Sequence, residues 1–225
     1  MTPTVDELRP LRLGDLARCV ELSTEVGWNQ NEGDWRFLIQ HGFSYGIERS
    51  EKGLVATTVA WPLGGRLVWV NMVIVRGECR GQGLATKLLN KCWQDTQARG
   101  QVALLDATDA GARVYGRMGF SGSERIVRLI RNCDVLQEVR AEPLPVGWAV
   151  DLATGADLSA LKKLDQQVVG VERGALIETW INRDPTAAQV LRDRAGKVRG
   201  FLLGRGGRRD NWGPWWSKAS LRGGC

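Results

Sequence analysis

The spacing of apolar residues changes period several times along the first 130 positions, and each change marks an element. Residues 4–13 read as an opening strand. Gly14-Asp15 then starts a helix that runs to about Val26, with Leu16, Cys19, Val20 and Ser23 on one face. A short second helix is predicted after Gly33-Asp34, carrying Trp35, Leu38 and Ile39, so GWNQNEG (27–33) is the loop between them. Strands follow near Tyr45–Arg49 and Leu54–Trp61, joined by the turn SEKG, and Pro62 with Gly64-Gly65 makes the next turn. RLVWVNMVIV (66–75) shows little alternation, which predicts a strand buried on both faces. Beyond it, Leu84, Leu88 and Cys92 with Ala85, Leu89 and Trp93 form one broad apolar stripe, the mark of a helix stopped by Gly100. QVALLDA (101–107) predicts a strand, Ala110–Met118 a short helix, and 124–131 a last strand.

Residues 132–147 carry Pro143, Pro145 and Gly147 with little periodicity and read as a linker. The pattern then restarts. Asp15-Leu16, Cys19 and Leu22 have counterparts in Asp157-Leu158, Leu161 and Leu164, each 142 positions on. GGR at 64–66 recurs at 206–208, and the pairs Leu38/Trp180, Ile39/Ile181 and Val59/Phe201 keep the same offset. A shared offset over this span indicates an internal duplication. It maps the strand 66–75 onto 208–217 and leaves the second copy with a front half and no second glycine stretch. The expected organisation is a complete domain at 1–131, a linker at 132–147 and a partial second copy at 148–225.

Composition removes several function classes. No apolar run approaches the 18 or so residues of a membrane span. The opening MTPTVDELRP lacks the build of a signal peptide, so cytoplasmic residence without a membrane partner is the expectation. Cys19, Cys79, Cys92, Cys133 and Cys225 are widely spaced, form no C-x-x-C and are accompanied by one histidine, His41. That argues against a metal site, a disulfide framework and the usual Ser-His or Cys-His triads. The net charge of +6 is uneven: residues 1–191 hold 22 Lys/Arg and 23 Asp/Glu, and residues 192–225 hold 9 and 2. A basic end with Trp212, Trp215 and Trp216 has the make-up of a nucleic-acid tail. The duplication offers another reading, an interrupted second copy, and nucleic acid is not the expected partner.

VRGECRGQGLATKLL (75–89) places two glycines behind an arginine at the start of an apolar helix. Glycine costs a helix about 1 kcal/mol relative to alanine, so helix stability does not explain this choice. A strand running into a glycine turn and a helix start presents free backbone N–H groups at the positive end of the helix dipole. That arrangement binds phosphate or pyrophosphate. The stretch is neither G-x-x-x-x-G-K-[ST] nor G-x-G-x-x-G, since Gly81-x-Gly83 is followed by Thr86.

Arg80-x-x-Gly83-x-Ala85, with the apolar strand before it and the helix after it, resembles the Q/R-x-x-G-x-G/A signature of the GNAT N-acetyltransferase superfamily. VYGRMGF (114–120) is similar to that family's L-Y-x-x-x-G-F motif, and LRLGDLARCVEL (11–22) to its first strand-helix junction. The resemblance covers about residues 4–131. Asp165-x-x-x-x-Gly170-x-x-Arg173 resembles, more weakly, the second domain of a two-domain subgroup. The resemblance implies an α/β fold with a mixed, mostly antiparallel central sheet flanked by helices, and a partial second GNAT-like domain.

It also implies acetyl-CoA as co-substrate and a small-molecule amine as acceptor, with direct transfer in a ternary complex. The cofactor would be held by the stretch Arg80, Gly81, Gln82, Gly83, Leu84, Ala85 and Thr86, the amides of Gly81 to Thr86 taking the pyrophosphate. Main-chain groups of Val73, Ile74 and Val75 would pair with the pantetheine arm, and a strand N–H nearby would serve as oxyanion donor. Tyr115 stands where many members carry the acid that protonates the leaving thiolate; packing over the cofactor is its other reading. Trp28, in the loop 27–33, would belong to the acceptor wall. Glu21, Glu25, Glu32 and Asp106 are candidates to take the amine's proton, and the sequence does not choose among them.

Two departures stand out. Val75-Arg76-Gly77 replaces a frequent proline, and Thr108 stands in place of a frequent asparagine, which bears on the geometry around Tyr115. Cys79, beside Arg80 near a helix start, reads either as a thiol of lowered pKa or as a buried, inert one. Without an evident base, a non-catalytic acyl-CoA sensor or partner module is the alternative function. The apolar strands of the half-copy need a cover and are compatible with a homodimer.

Overall fold

The computed structural model describes residues 6–123, 125 and 143–204. Five strands, β1 (Glu7–Pro10), β2 (Phe43–Arg49), β3 (Gly53–Pro62), β4 (Leu67–Val75) and β5 (Val102–Leu105), form one sheet in sequence order. Neighbours are antiparallel except β4 and β5, which run parallel. That parallel step requires a crossover, supplied by α3 (Leu84–Ala98). The other face carries α1 (Leu16–Glu25) and α2 (Glu32–His41), and α4 (Asp109–Arg117) follows β5.

The core forms on both faces of β3, whose residues from Leu54 to Trp61 are all buried. Under α1 and α2 lie Leu22, Trp35, Leu38, Val59 and Trp61. Beneath α3 lie Ile47, Ala56, Leu84 and Leu88, continued by Ala60, Val68, Val70, Leu89 and Cys92. Leu22, Trp35 and Leu38 are fully enclosed. Side chains of this kind each contribute about 1.5–3 kcal/mol by leaving water.

A second sheet repeats the first three strands. It comprises β6 (Ala149–Leu152), β7 (Ala188–Arg192) and β8 (Val198–Leu203), with α5 (Leu158–Val169) and α6 (Gly174–Arg183) on one face. The expected offset holds from Glu7/Ala149 through α2 and α6, which begin at Glu32 and Gly174. It then slips by two residues, because Asp184–Ala187 occupies the place of Gly42 and Phe43, so that Ala188 pairs with Leu203 as Ser44 pairs with Val59. The pairing of Val59 with Phe201 is accordingly corrected: Phe201 lies opposite Val190, as Thr57 lies opposite Gly46.

Other expectations shift for local reasons. α2 starts at Glu32 because Asn31 and Asp34 form a capping box, each side chain bonding the other's backbone N–H at 3.2 and 2.9 Å. Leu22 rather than Val20 completes the buried face of α1, and Phe37 takes the place given to Ile39 on α2. Trp93 is 41% exposed, off the buried stripe of α3, with its ring edge-on to Phe120 at 6.3 Å. β4 alternates between buried and half-buried residues instead of being enclosed on both faces. The strand expected at 124–131, most of the linker and the Trp-rich basic end lie outside the described residues. Among the described residues no helix is long and apolar enough to cross a membrane.

Candidate active site

β4 is the strand around which the site is built. It pairs with β5 only from Leu67 to Val70, so among the described residues no strand lies along its outer edge from Asn71 onward. Met72 and Val73 together face the single residue Thr58, since Asn71 lies opposite Val59 and Ile74 opposite Thr57. Met72 adopts a left-handed backbone with φ of 51°, and among the described residues no other non-glycine residue does so. Such a conformation costs on the order of 1–2 kcal/mol. The buried Thr57 Oγ1 donates to the Met72 carbonyl at 2.9 Å and helps to hold it.

This bulge reverses the alternation of the strand. Before it, Leu67 and Trp69 face α1 and α2, while Val68 and Val70 lie under α3. After it, Met72 and Ile74 face α1 and α2, while Val73 and Val75 lie on the α3 side. Val73, Ile74 and Val75 therefore lie on the stretch of β4 that pairs with no strand on its outer edge among the described residues. The Val75 carbonyl is already engaged, accepting from Arg80 Nε at 3.1 Å.

From β4 the chain makes a short turn at Gly77–Cys79 and enters α3 through Arg80, Gly81, Gln82 and Gly83. Gly81 and Gly83 have φ of 75° and 77°, which explains glycine at both positions. A Cβ at either would meet no protein atom within 4 Å, so a space stands open before the loop. Lys87 N–H is the first in α3 to reach an acceptor, Gly83 O at 3.0 Å. The N–H groups of Leu84, Ala85 and Thr86 precede it in the first turn, where a helix has no partner to offer them. Gly81, Gln82, Gly83 and Thr86 are exposed and Leu84 is anchored in the core. The cradle thus fits an anionic group such as a pyrophosphate.

A residue the sequence reading missed holds this loop from behind. Arg49, at the end of β2 and 9% exposed, donates to Gln82 Oε1 at 2.8 Å and to Asp6 Oδ1 at 2.6 Å. Its Nη1 also lies 3.5 Å from Cys79 Sγ, and Cys79 is fully buried. From the α1 side, Glu25 accepts from Gly77 N–H at 2.6 Å and pairs with Arg76, as does Glu21 at 3.0 Å. Two candidate bases are thereby committed to positioning the loop. Glu32 pairs with Arg36 on the surface of α2, and Asp106 is half-buried directly after β5.

Tyr115 lies on the α3 side of the sheet. It packs into the same apolar cluster as Val73, Val70, Ala103 and Leu105, beside the point where β4 and β5 part. Its ring folds back over Gly111, where an added Cβ would come within 2.8 Å of it. Thr108 caps α4 by accepting from Gly111 N–H at 3.2 Å, so the helix start survives without the family's asparagine. Burial raises the Tyr115 pKa, which keeps the phenol protonated at neutral pH.

Trp28 lies on the opposite side, half-buried against the core under α1 and α2, as does Trp69 of β4. Two amides not singled out from sequence share this side. Gln30 is 7% exposed and its Oε1 has no partner, and the buried Asn71 Oδ1 also has none. Asn71 continues the phase of Leu67 and Trp69 at the last position before the bulge. As the sole amide in RLVWVNMVIV it was visible as a polar exception, whereas nothing distinguished Gln30 within a polar loop. His41 stacks on Phe37 at 4.5 Å at the end of α2 and has a structural role there.

A bulged strand next to a glycine-lined helix start defines an α/β site with a cradle fit for an anionic group. Residues 14–120 match the family model described as acetyltransferase (GNAT) family. The uncharacterized N-acetyltransferase YitH of Bacillus subtilis (strain 168) is 30% identical over 124 residues, 54% of this chain and 43% of that protein. The chain thus spans less than half the length of this curated relative. A candidate acetyltransferase from Pyrococcus horikoshii superposes with a TM-score of 0.63 at 14% identity, over 91% of this chain and 68% of its own. A candidate N-acyltransferase from Enterococcus faecalis V583 gives 0.60 at 14%, over 90% and 55%. At these identities the two structures establish likeness of fold, and the likeness extends through the second sheet.

Proposed function

We propose that the chain is an acyl-CoA-dependent N-acetyltransferase that moves an acetyl group from acetyl-CoA to the primary amine of a small molecule. The observation that carries this reading is the edge of β4, unpaired from Asn71 onward among the described residues, running into the glycine loop and the first-turn N–H groups of α3. Those amides would hold the pyrophosphate, with Arg49 and Glu25 fixing the loop, and Val73 to Val75 would take the pantetheine arm. The amine nitrogen attacks the thioester carbon and the C–S bond breaks. The departing thiolate takes its proton from Tyr115, whose burial keeps that proton in place until it is needed, and the proton that the nitrogen sheds on becoming an amide returns through water to restore the phenol. Trp28, Gln30 and Asn71, on the opposite side of the sheet from Tyr115, would receive the acceptor. The reading takes 1–131 as the catalytic domain, joined by 132–147 to the partial copy at 148–225.

Calorimetry with acetyl-CoA, followed by thiol release in the presence of a mixed amine library, tests it. Binding with amine-dependent release is the expected result, and absence of binding overturns it. The engagement of Glu21, Glu25 and Glu32 in ion pairs favours one alternative, an acyl-CoA sensor. Binding without turnover on any amine would establish that reading instead.

A further inference from the structure

We propose that the second half of the chain positions the acceptor side of the site through Arg183, which pins the loop between α1 and α2. The inference rests on the reading of residues 27–33 as the acceptor wall. Arg183 is the last residue of α6. Its Nη1 donates to Asp34 Oδ1 at 2.8 Å and its Nη2 to Asn31 Oδ1 at 2.9 Å. These are the two side chains of the capping box that ends the loop and starts α2, so one guanidinium grips both.

The pair is sheltered, with Asp34 5% and Arg183 29% exposed at the side chain. The guanidinium lies so close to the α2 backbone that a Cβ at Gly33 would stand 2.8 Å from Arg183 Cζ. A glycine in the first turn of a helix is thereby explained by close approach. The contact is not isolated. Leu176 and Trp180 of α6 share a core with Trp35 and Leu38 of α2, and Glu172 N–H donates to the Leu63 carbonyl at 2.9 Å. α6 is therefore fastened near both ends to the first half.

The held segment contains Trp28 and the buried, unpaired Gln30 carbonyl oxygen. A buried acceptor of this kind is satisfied by an N–H or O–H donor, so the ligand class is a hydrogen-bond-donating amine. Fixing the loop in advance spares the acceptor the cost of ordering it. Arg183 is a positioning residue that acts through Asn31 and Asp34.

Two variants of the full chain test the inference by different routes. Arg183→Met removes the fork and keeps an apolar stem. Gly33→Ala displaces the guanidinium while providing a better helix former than glycine. Both are expected to speed amide hydrogen exchange in residues 28–35 by about tenfold, leaving 81–88 and 158–169 unchanged. Both should raise KM for the amine by about fivefold or more, with kcat and the KM for acetyl-CoA within about twofold. Arg183→Lys, which retains the charge and loses the fork, should fall between Arg183→Met and the wild type. Unchanged exchange in 28–35, or faster exchange with an unchanged KM for the amine, overturns the proposal. A wild-type chain that acetylates no amine overturns the acceptor reading itself, and the exchange data then still decide whether Arg183 pins the loop.

Discussion

The two halves of the chain share a scaffold and differ in what covers it. In the first sheet the row Leu8–Ile47–Ala56 lies under α3, with Ile47 and Ala56 fully buried. The corresponding row of the second sheet is Val150–Leu191–Gly200, and Val150 is 51% exposed. Pro10–Tyr45–Thr58 corresponds likewise to Leu152–Gln189–Leu202, where Leu152 and Leu202 are 54% and 56% exposed. The helices α1 and α5, α2 and α6 cover the other face in both. The shared part is thus a three-stranded, two-helix frame. The bulged strand, the glycine loop and α3 turn that frame into a site, and among the described residues they occur once.

The largest expected effect tests this difference in cover. Ile47→Ala should cost about 2–5 kcal/mol by deleting a fully enclosed side chain beneath α3. Leu202→Ala, in the second sheet, should change stability by about 0.5 kcal/mol or less. Urea denaturation of both variants decides it. Equal losses would mean that the second face is covered in solution.

The glycine loop supplies the next contrast, because the described part of the second half has no counterpart. Gly83→Glu should lower acetyl-CoA affinity by at least about a hundredfold, by placing a like charge before the free amides. Its φ of 77° adds a stability cost of about 1 kcal/mol. Calorimetry should find one acetyl-CoA per chain in the wild type. A second, Gly83-independent site would break the asymmetry between the halves.

How much of this was legible in the sequence follows from how local each cause is. Periodicity marked the helices and strands of the first copy, since burial on one face leaves a repeat at 2 or 3.6 residues, and the second copy was legible through the shared offset of 142. The glycine loop was legible because a left-handed backbone at Gly81 and Gly83 demands glycine. The two-residue slip at Asp184–Ala187 was not, because a loop insertion leaves the helices before it in register. Nor was the reversal at Met72, whose left-handed conformation is held by a bond from Thr57, fifteen residues earlier. Arg49, Arg183 and the loop-holding role of Glu25 escaped for the same reason. Each acts on a partner more than thirty residues away, and no spacing rule reaches that far.

Tyr115 separates binding from chemistry within the first half. Tyr115→Phe keeps the ring that packs against Val73 and removes the proton donor. The expected result is a fall in kcat of about a hundredfold at the low end of general-acid effects, with acetyl-CoA affinity unchanged. Because burial raises the phenol's pKa, the wild-type rate should show no loss from this group until the pH exceeds about 10. An unchanged kcat in the phenylalanine variant would leave Tyr115 a packing residue.

The smallest expected effect compares the acid dependence of the two halves. Asp15 and Asp157 occupy equivalent positions, each closing the turn before the first helix of its copy. Arg9 grips Asp15 with two bonds of 2.8 Å, and its hydrogen bonding holds that carboxyl below the usual range. At Asp157 burial pushes the pKa up, and the Thr154 N–H with a single Arg192 bond of 2.7 Å outweighs it. Both carboxyls are thus more acidic folded than unfolded, so the stability they contribute is present above about pH 4 and lost as pH falls below it. Each arginine is shared with a second carboxylate, Glu48 for Arg9 and Asp151 for Arg192, but Arg9 reaches Asp15 from β1 of the same short segment whereas Arg192 lies on the far side of the inserted turn. Asp15→Asn should therefore remove more of the acid-induced loss than Asp157→Asn, by about 1 kcal/mol between pH 7 and pH 3. Urea midpoints at both pH values measure the difference. The reverse ranking would show that the second copy depends more on its capped turn than the first.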